Sequence, residues 1–250
     1  MKTGLVSISF RKLSPIEIID LVKQSGLESI EWGGDVHVPP GELTLAEEIG
    51  RRTREAGLEV ACYGSYCRLT SPDEFPAIIA TAKALGAPLI RVWAGQQGSA
   101  DCTPKKRAEI VQNARLLAAL AAQEQIGIAF EYHGGTLTDT ADSALALLEA
   151  VGHPNAGTLW QPPVSMSANE CVASIQKLHR YIRNIHVFSW NGTERLPLQE
   201  GFEKWRSCLA EIRQLPGDRY LLLEFVRHDE PEQLLQDAAC LTSWLKGSQE

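Results

Sequence analysis

Eight short apolar runs, each followed by an amphipathic stretch, constrain this chain more than any other feature of its sequence. The runs cover residues 4–10, 29–32, 59–63, 88–93, 126–132, 157–160, 183–188 and 220–226, and their starts lie 25, 30, 29, 38, 31, 26 and 37 residues apart. Parallel strands need a crossover of a dozen residues or more, usually a helix, and every gap here is long enough to hold one. The gaps also carry helix punctuation. Ser14-Pro15 followed by Glu17 reads as a capped start with proline in the first turn, and Gly26 as the left-handed stop. Residues 44–56 form a second helix closed by Gly57, and a third ends at Gly86. Thr103-Pro104 opens a long helix that stops near Gly127, and Asp139, Ala168, Gly201 and Glu230-Pro231 open four more. Eight strand–helix units in 250 residues predict an α/β fold, a (β/α)8 TIM barrel, as one domain of residues 1–250. The rival is a doubly wound sheet, which usually has fewer strands and a Gly-rich phosphate loop after the first. Here the first run leads instead into Ser9-Phe10-Arg11-Lys12.

Composition removes several classes of function. Asp and Glu number 31 against 24 Lys and Arg, a formal net charge of -7. Binding a nucleic acid requires a surplus of cations on one face, so no nucleic-acid partner is expected. No apolar stretch reaches the roughly 18 to 20 residues of a membrane span, so no membrane association is expected. The first ten residues are too polar for a secretory signal, and a cytoplasmic location is the expectation. The six cysteines, at 62, 67, 102, 171, 208 and 240, contain no C-x-x-C pair. They read as reduced, packed thiols rather than a zinc site.

In such a barrel, catalysis belongs at the carboxyl ends of the strands. The fifth run ends Ala129-Phe130-Glu131-Tyr132-His133, the sixth ends Thr158-Leu159-Trp160-Gln161, the seventh holds His186, and the eighth holds Glu224. A carboxylate inside an apolar run is costly to bury alone. Glu131, Gln161, His186 and Glu224 could instead share one divalent cation. Two carboxylates, an amide oxygen and an imidazole suit Mn²⁺, Co²⁺, Mg²⁺ or Zn²⁺.

These strand ends resemble the xylose-isomerase-like barrel superfamily of sugar and sugar-phosphate isomerases and epimerases. The carriers are residues 30–37 (Ile30-Glu31-Trp32-Gly33-Gly34-Asp35-Val36-His37), residues 131–139 (Glu131-Tyr132-His133-Gly134-Gly135-Thr136-Leu137-Thr138-Asp139), Ile185-His186-Val187 and Leu223-Glu224-Phe225-Val226, and the resemblance extends over essentially the whole chain. It implies one metal ion held by a Glu, an Asp, a His and a Glu. Glu131, His186 and Glu224 match, whereas Gln161 stands where the Asp is expected. An amide oxygen coordinates without charge, so this set should hold a hard cation more weakly and leave it a stronger Lewis acid.

The reaction that the resemblance implies is proton transfer beside a metal-held carbonyl, with Glu131 and Glu224 as catalytic groups. The expected enzyme is a sugar isomerase or epimerase with a small-molecule carbohydrate substrate. His37, His133, Trp32, Trp93, Trp160 and Arg227 are candidate substrate contacts. His153, His179 and His228 receive no role. Two other readings stay open: a hydro-lyase acting on a keto-inositol or shikimate-like compound, and a non-catalytic sugar-binding barrel in which Gln161 marks a degraded metal site. An endonuclease-IV-like repair enzyme fits poorly, because it needs more histidines and a basic groove. The resemblance also suggests a homo-oligomer.

Overall fold

Parallel pairing carries the sheet around until it meets itself. The computed structural model describes residues 1–247. The elements are β1 (Lys2–Val6), α1 (Pro15–Ser25), β2 (Ser29–Gly33), α2 (Leu43–Glu55), β3 (Glu59–Gly64), α3 (Phe75–Leu85), β4 (Leu89–Val92), α4 (Pro104–Gln123), β5 (Gly127–Glu131), α5 (Ala141–Val151), β6 (Ala156–Trp160), α6 (Ala168–Leu178) and β7 (Ile182–Val187). A short hairpin of β8 (Ser189–Asn191) and β9 (Glu194–Leu196) follows, then α7 (Phe202–Ile212), β10 (Tyr220–Leu223) and α8 (Pro231–Lys246). The barrel closes in the order β1-β10-β7-β6-β5-β4-β3-β2. The eight strand–helix units anticipated from spacing are thus all present. Their caps follow the sequence signals. Ser14 and Glu17 form a reciprocal capping box with Gly26 in the left-handed region, and Thr103 caps α4.

The boundaries differ where side chains compete with the ladder. The first run was expected to stay extended to Phe10, yet β1 stops at Val6 and Ser7–Phe10 is a 3-10 turn. The hydroxyl of Ser7 accepts the Gly33 amide, and that of Ser9 accepts the Phe225 amide, so this turn is stitched to its neighbours by side chains. The last run was expected to reach Val226. β10 ends at Leu223 because Phe225 sits at φ 58°, where a strand cannot continue. The fifth helix begins at Ala141 under a Thr140 cap rather than at Asp139. The β8–β9 hairpin was not anticipated, although Asn191-Gly192 is a turn signal and Gly192 takes φ 60°.

Strand alternation assigns the site. The main apolar cluster lies between sheet and helices, and a small separate cluster of Cys62, Leu89, Ala129 and Leu159 comes from four adjacent strands. Residues two apart on a strand share a face. Arg91, Glu131 and Gln161 therefore sit one step beyond Leu89, Ala129 and Leu159, and Glu224 one step beyond Leu222. The intervening Trp160 faces the other way, its indole N–H donating to Ser174 of α6 at 3.0 Å. Among the described residues, no helix is long and apolar enough to cross a membrane.

Candidate metal centre and its mouth

Ligand atoms of Glu131, His186 and Glu224 lie within 4.8 Å of one another. Gln161 joins them, with its Oε1 3.2 Å from His186 Nδ1 and its Nε2 3.3 Å from Glu131 Oε1. Exposure runs from 0% at His186 to 8% at Gln161. Two carboxylate groups, an amide oxygen and an imidazole nitrogen converging on one point fit a divalent cation. Gln161, with no counterpart to the expected Asp charge, still reaches that point.

Two buried charges at this level were not assigned from sequence. Glu31, on β2, accepts from Arg91 Nε at 2.7 Å and lies 3.1 Å from His186 Nε2. Arg91, on β4, also donates to Glu131 Oε2, as does the indole N–H of Trp93. The signal for both was available, since each is a charged residue inside an apolar run. Three carboxylates against one guanidinium leave two negative charges, which matches a divalent ion beside a neutral imidazole. Burial opposes ionisation of Glu31, but His186 and Arg91 outweigh it and hold the carboxyl at about 2. Burial likewise opposes ionisation of Glu131, and Arg91 with His186 lowers it below the usual carboxylate value.

Room for Arg91 comes from Gly64. A Cβ there would lie 2.5 Å from Arg91 Nη2 and 3.0 Å from Glu31 Oε1. Arg91 is held at both ends and cannot retreat cheaply. Gly64→Ala is therefore expected to cost about 1 to 3 kcal/mol of stability and to weaken metal binding. Denaturant unfolding and a metal titration on the same variant check this, and parent values in both would show that the pocket has slack.

Without a metal, His186 should be charged. Burial works against the proton, but Glu224 and then Glu31 outweigh it and raise the imidazole to about 10. Its paired charge stabilises the metal-free fold below the ordinary value of 6.5, and that contribution fades as pH rises through about 10. Metal uptake at neutral pH must displace this proton, so affinity should climb with pH. Calorimetry in two buffers of different ionisation enthalpy should read about one released proton per ion. Equal heats in both buffers would contradict this.

A cavity of about 460 Å³ opens above these groups. One wall carries Arg11, Tyr66, Trp93 and His133, and the other carries Pro162, Pro163, Phe188, Trp190 and Phe225. His133 stacks on Trp93 with ring centroids 4.6 Å apart. Its Nδ1 lies 2.6 Å from the Gly134 carbonyl oxygen. The β8–β9 hairpin is clasped over the apolar wall by Arg195, which lies over the Phe225 ring at 4.5 Å and pairs with Asp229. Tyr66 and Phe225 both take left-handed backbone, at φ 58° each. For such residues this costs roughly 1 to 2 kcal/mol, and the strain sits at the mouth.

Other candidate contacts lie elsewhere. His37 is buried between Ser7 Oγ (3.0 Å) and the Leu13 carbonyl (3.2 Å), and joins the first two strand-end loops. Burial lowers its basicity, so it serves as a neutral clamp away from the cavity. Trp32 has no exposed face, and its indole N–H donates to Thr53 of α2. Trp160 is buried in the same manner on α6. Arg227 lies on the short turn after β10, beside Asp237 of α8 and outside the cavity lining. Trp32 and Trp160 do lie in the last residues of β2 and β6, but local sequence could not say which way they point.

The family model for xylose isomerase-like TIM barrels matches residues 19–244. A 3-dehydroshikimate dehydratase of Bacillus anthracis is 29% identical, over 97% of this chain and 97% of its own. The crystal structure of a probable 3-DHS dehydratase from Bacillus anthracis superposes with a TM-score of 0.82 at 27% identity, over 97% of this chain and 99% of that one. A D-psicose 3-epimerase crystallised in the presence of D-fructose superposes with a TM-score of 0.76 at 15% identity, over 99% and 100%.

Proposed function

The chain belongs to the xylose isomerase-like TIM barrel family, and from that membership we propose that it is a metal-dependent hydro-lyase, removing water from a cyclic hydroxy-ketone acid of the 3-dehydroshikimate kind. The observation that carries this is the full-length likeness to a dehydratase at 29% identity. The likeness to an epimerase, at 15%, is a likeness of fold. The isomerase or epimerase expected from sequence therefore becomes the second reading.

The mouth suits such a substrate. Arg11, held by Asp35 and Tyr66, offers a cation at the rim for a carboxylate. The Pro162–Phe188–Trp190 side offers apolar surface to a flat ring. Glu131, Gln161, His186 and Glu224 would hold a divalent ion, which when bound would supply Lewis-acid stabilisation of negative charge developing on a substrate carbonyl.

His133 is the group we assign as base. Its Nδ1–H donates to the adjacent carbonyl of Gly134, which leaves the Nε2 lone pair to take the proton from carbon. The same imidazole then returns that proton to the departing hydroxyl, and water leaves. Glu131 is a poor base, because its Oε2 already accepts from both Arg91 and Trp93. We accordingly assign Glu131 and Glu224 as ligands. The six free thiols fit a reducing cytoplasm.

The test is direct. Metal-loaded protein given 3-dehydroshikimate should yield a product lighter by one water, with aromatic absorbance as the ring enolises. No water loss, together with solvent deuterium entering D-psicose or D-fructose, would restore the epimerase reading.

A further inference from the structure

Glu31 is wholly buried at the level of the metal centre, yet it faces the back of it. Its Oε2 lies 3.1 Å from His186 Nε2, the nitrogen turned away from Gln161 and Glu224. Its Oε1 accepts from Arg91 Nε, and Arg91 in turn occupies Oε2 of Glu131. Stability alone is a weak reason to keep such an arrangement, since apolar replacements of buried ion pairs are often neutral or better.

The geometry explains it differently. A neutral imidazole has one N–H and one lone pair. When a metal displaces one proton of the imidazole, the Glu31 carboxylate against Nε2 keeps the other N–H there, and so leaves the lone pair of Nδ1 toward Gln161 and Glu224. Through Arg91 the same carboxylate occupies one oxygen of Glu131 and leaves Oε1 toward Gln161. We propose that Glu31 is the positioning residue of the metal centre, selecting Nδ1 of His186 and Oε1 of Glu131 as the ligating atoms. Its charge also strengthens the imidazole as a donor, which offsets part of the charge that Gln161 lacks. The inference rests on the metal centre of the proposed function, but not on its substrate.

Glu31→Gln separates this role from simple packing. Its single amide oxygen can serve His186 Nε2–H or Arg91 Nε–H, but not both, and its NH2 meets the remaining donor. Calorimetric titration of the metal-free protein with Mn²⁺ or Zn²⁺ should show affinity about 10- to 100-fold weaker than the parent. Glu31→Asp, which keeps both acceptors at shorter reach, should recover part of the loss. A folded Glu31→Gln variant with parent affinity would overturn the proposal. Nitrogen-15 spectra of histidine-labelled, zinc-loaded parent protein decide the matter even if the variant does not fold. The expected pattern is zinc on Nδ1 of His186 and a slowly exchanging proton on Nε2. Zinc on Nε2, or His186 unperturbed by zinc, would overturn the proposal. Neither measurement uses a substrate, so a failure of the dehydratase reading leaves both results standing.

Discussion

His133→Gln lowers turnover of a 3-dehydroshikimate-like acid by roughly 10²- to 10⁴-fold, the usual worth of a general base, and leaves bound metal unchanged. The separation is expected because His133 stands above the candidate metal centre without belonging to it. It lines the cavity and stacks on Trp93, while the converging ligand atoms come from Glu131, His186 and Glu224. Glutamine keeps a donor near the Gly134 carbonyl but offers no nitrogen lone pair. Metal content and kcat must be read on the same samples, since loss of the ion would remove the Lewis-acid contribution as well. A variant that keeps its metal and turns over within a few-fold of the parent would move the base to Glu224.

The second large effect is on stability. Arg91→Met should destabilise the metal-free protein by about 3 to 5 kcal/mol, because it leaves Glu31 and Glu131 buried without their common cation. Arg91 is 2% exposed, and Glu31 and Glu131 are 0% and 3% exposed. In the parent both carboxyls titrate below the ordinary 4.5, Glu31 at about 2. Their ionised forms therefore stabilise the fold above about 4.5, and that contribution drains away as the pH falls toward 2. The parent's advantage over Arg91→Met should be largest at neutral pH and shrink in acid. Denaturant unfolding across that range measures it. Saturating metal should recover part of the loss by binding only the folded state. Equal stability at neutral pH would mean that the buried ion pairs contribute nothing net.

The barrel was legible because its signal is periodic. Eight apolar runs at crossover spacing, with Ser14-Pro15 and Thr103-Pro104 at helix starts, leave few other folds open. What blurred was set by single side chains. Ser7 and Ser9 end β1 early by bonding across to Gly33 and Phe225, contacts some 26 and 216 residues away that no local pattern carries. The four candidate ligands converge because period-two alternation and strand order are themselves sequence properties. The network behind them was hidden for the opposite reason. Glu31 and Arg91 are as conspicuous in their runs as Glu131, but their pairing depends on which strands neighbour each other and on the missing side chain of Gly64. The aromatics divide, Trp93 and Trp190 lining the cavity and Trp32 and Trp160 not, because a tryptophan at a strand end can face either way. Trp93 turns into the mouth, whereas Trp32 and Trp160 turn out to Thr53 and Ser174.

The central claim, water elimination driven by a metal held at these strand ends, is tested most directly by titrating metal into chelator-stripped protein while following 3-dehydroshikimate turnover. The account predicts no turnover without metal and a linear rise that saturates at one ion per chain, with Glu224→Ala failing to rise over the same range. Full turnover in the stripped protein, or none at one bound ion per chain, would contradict it.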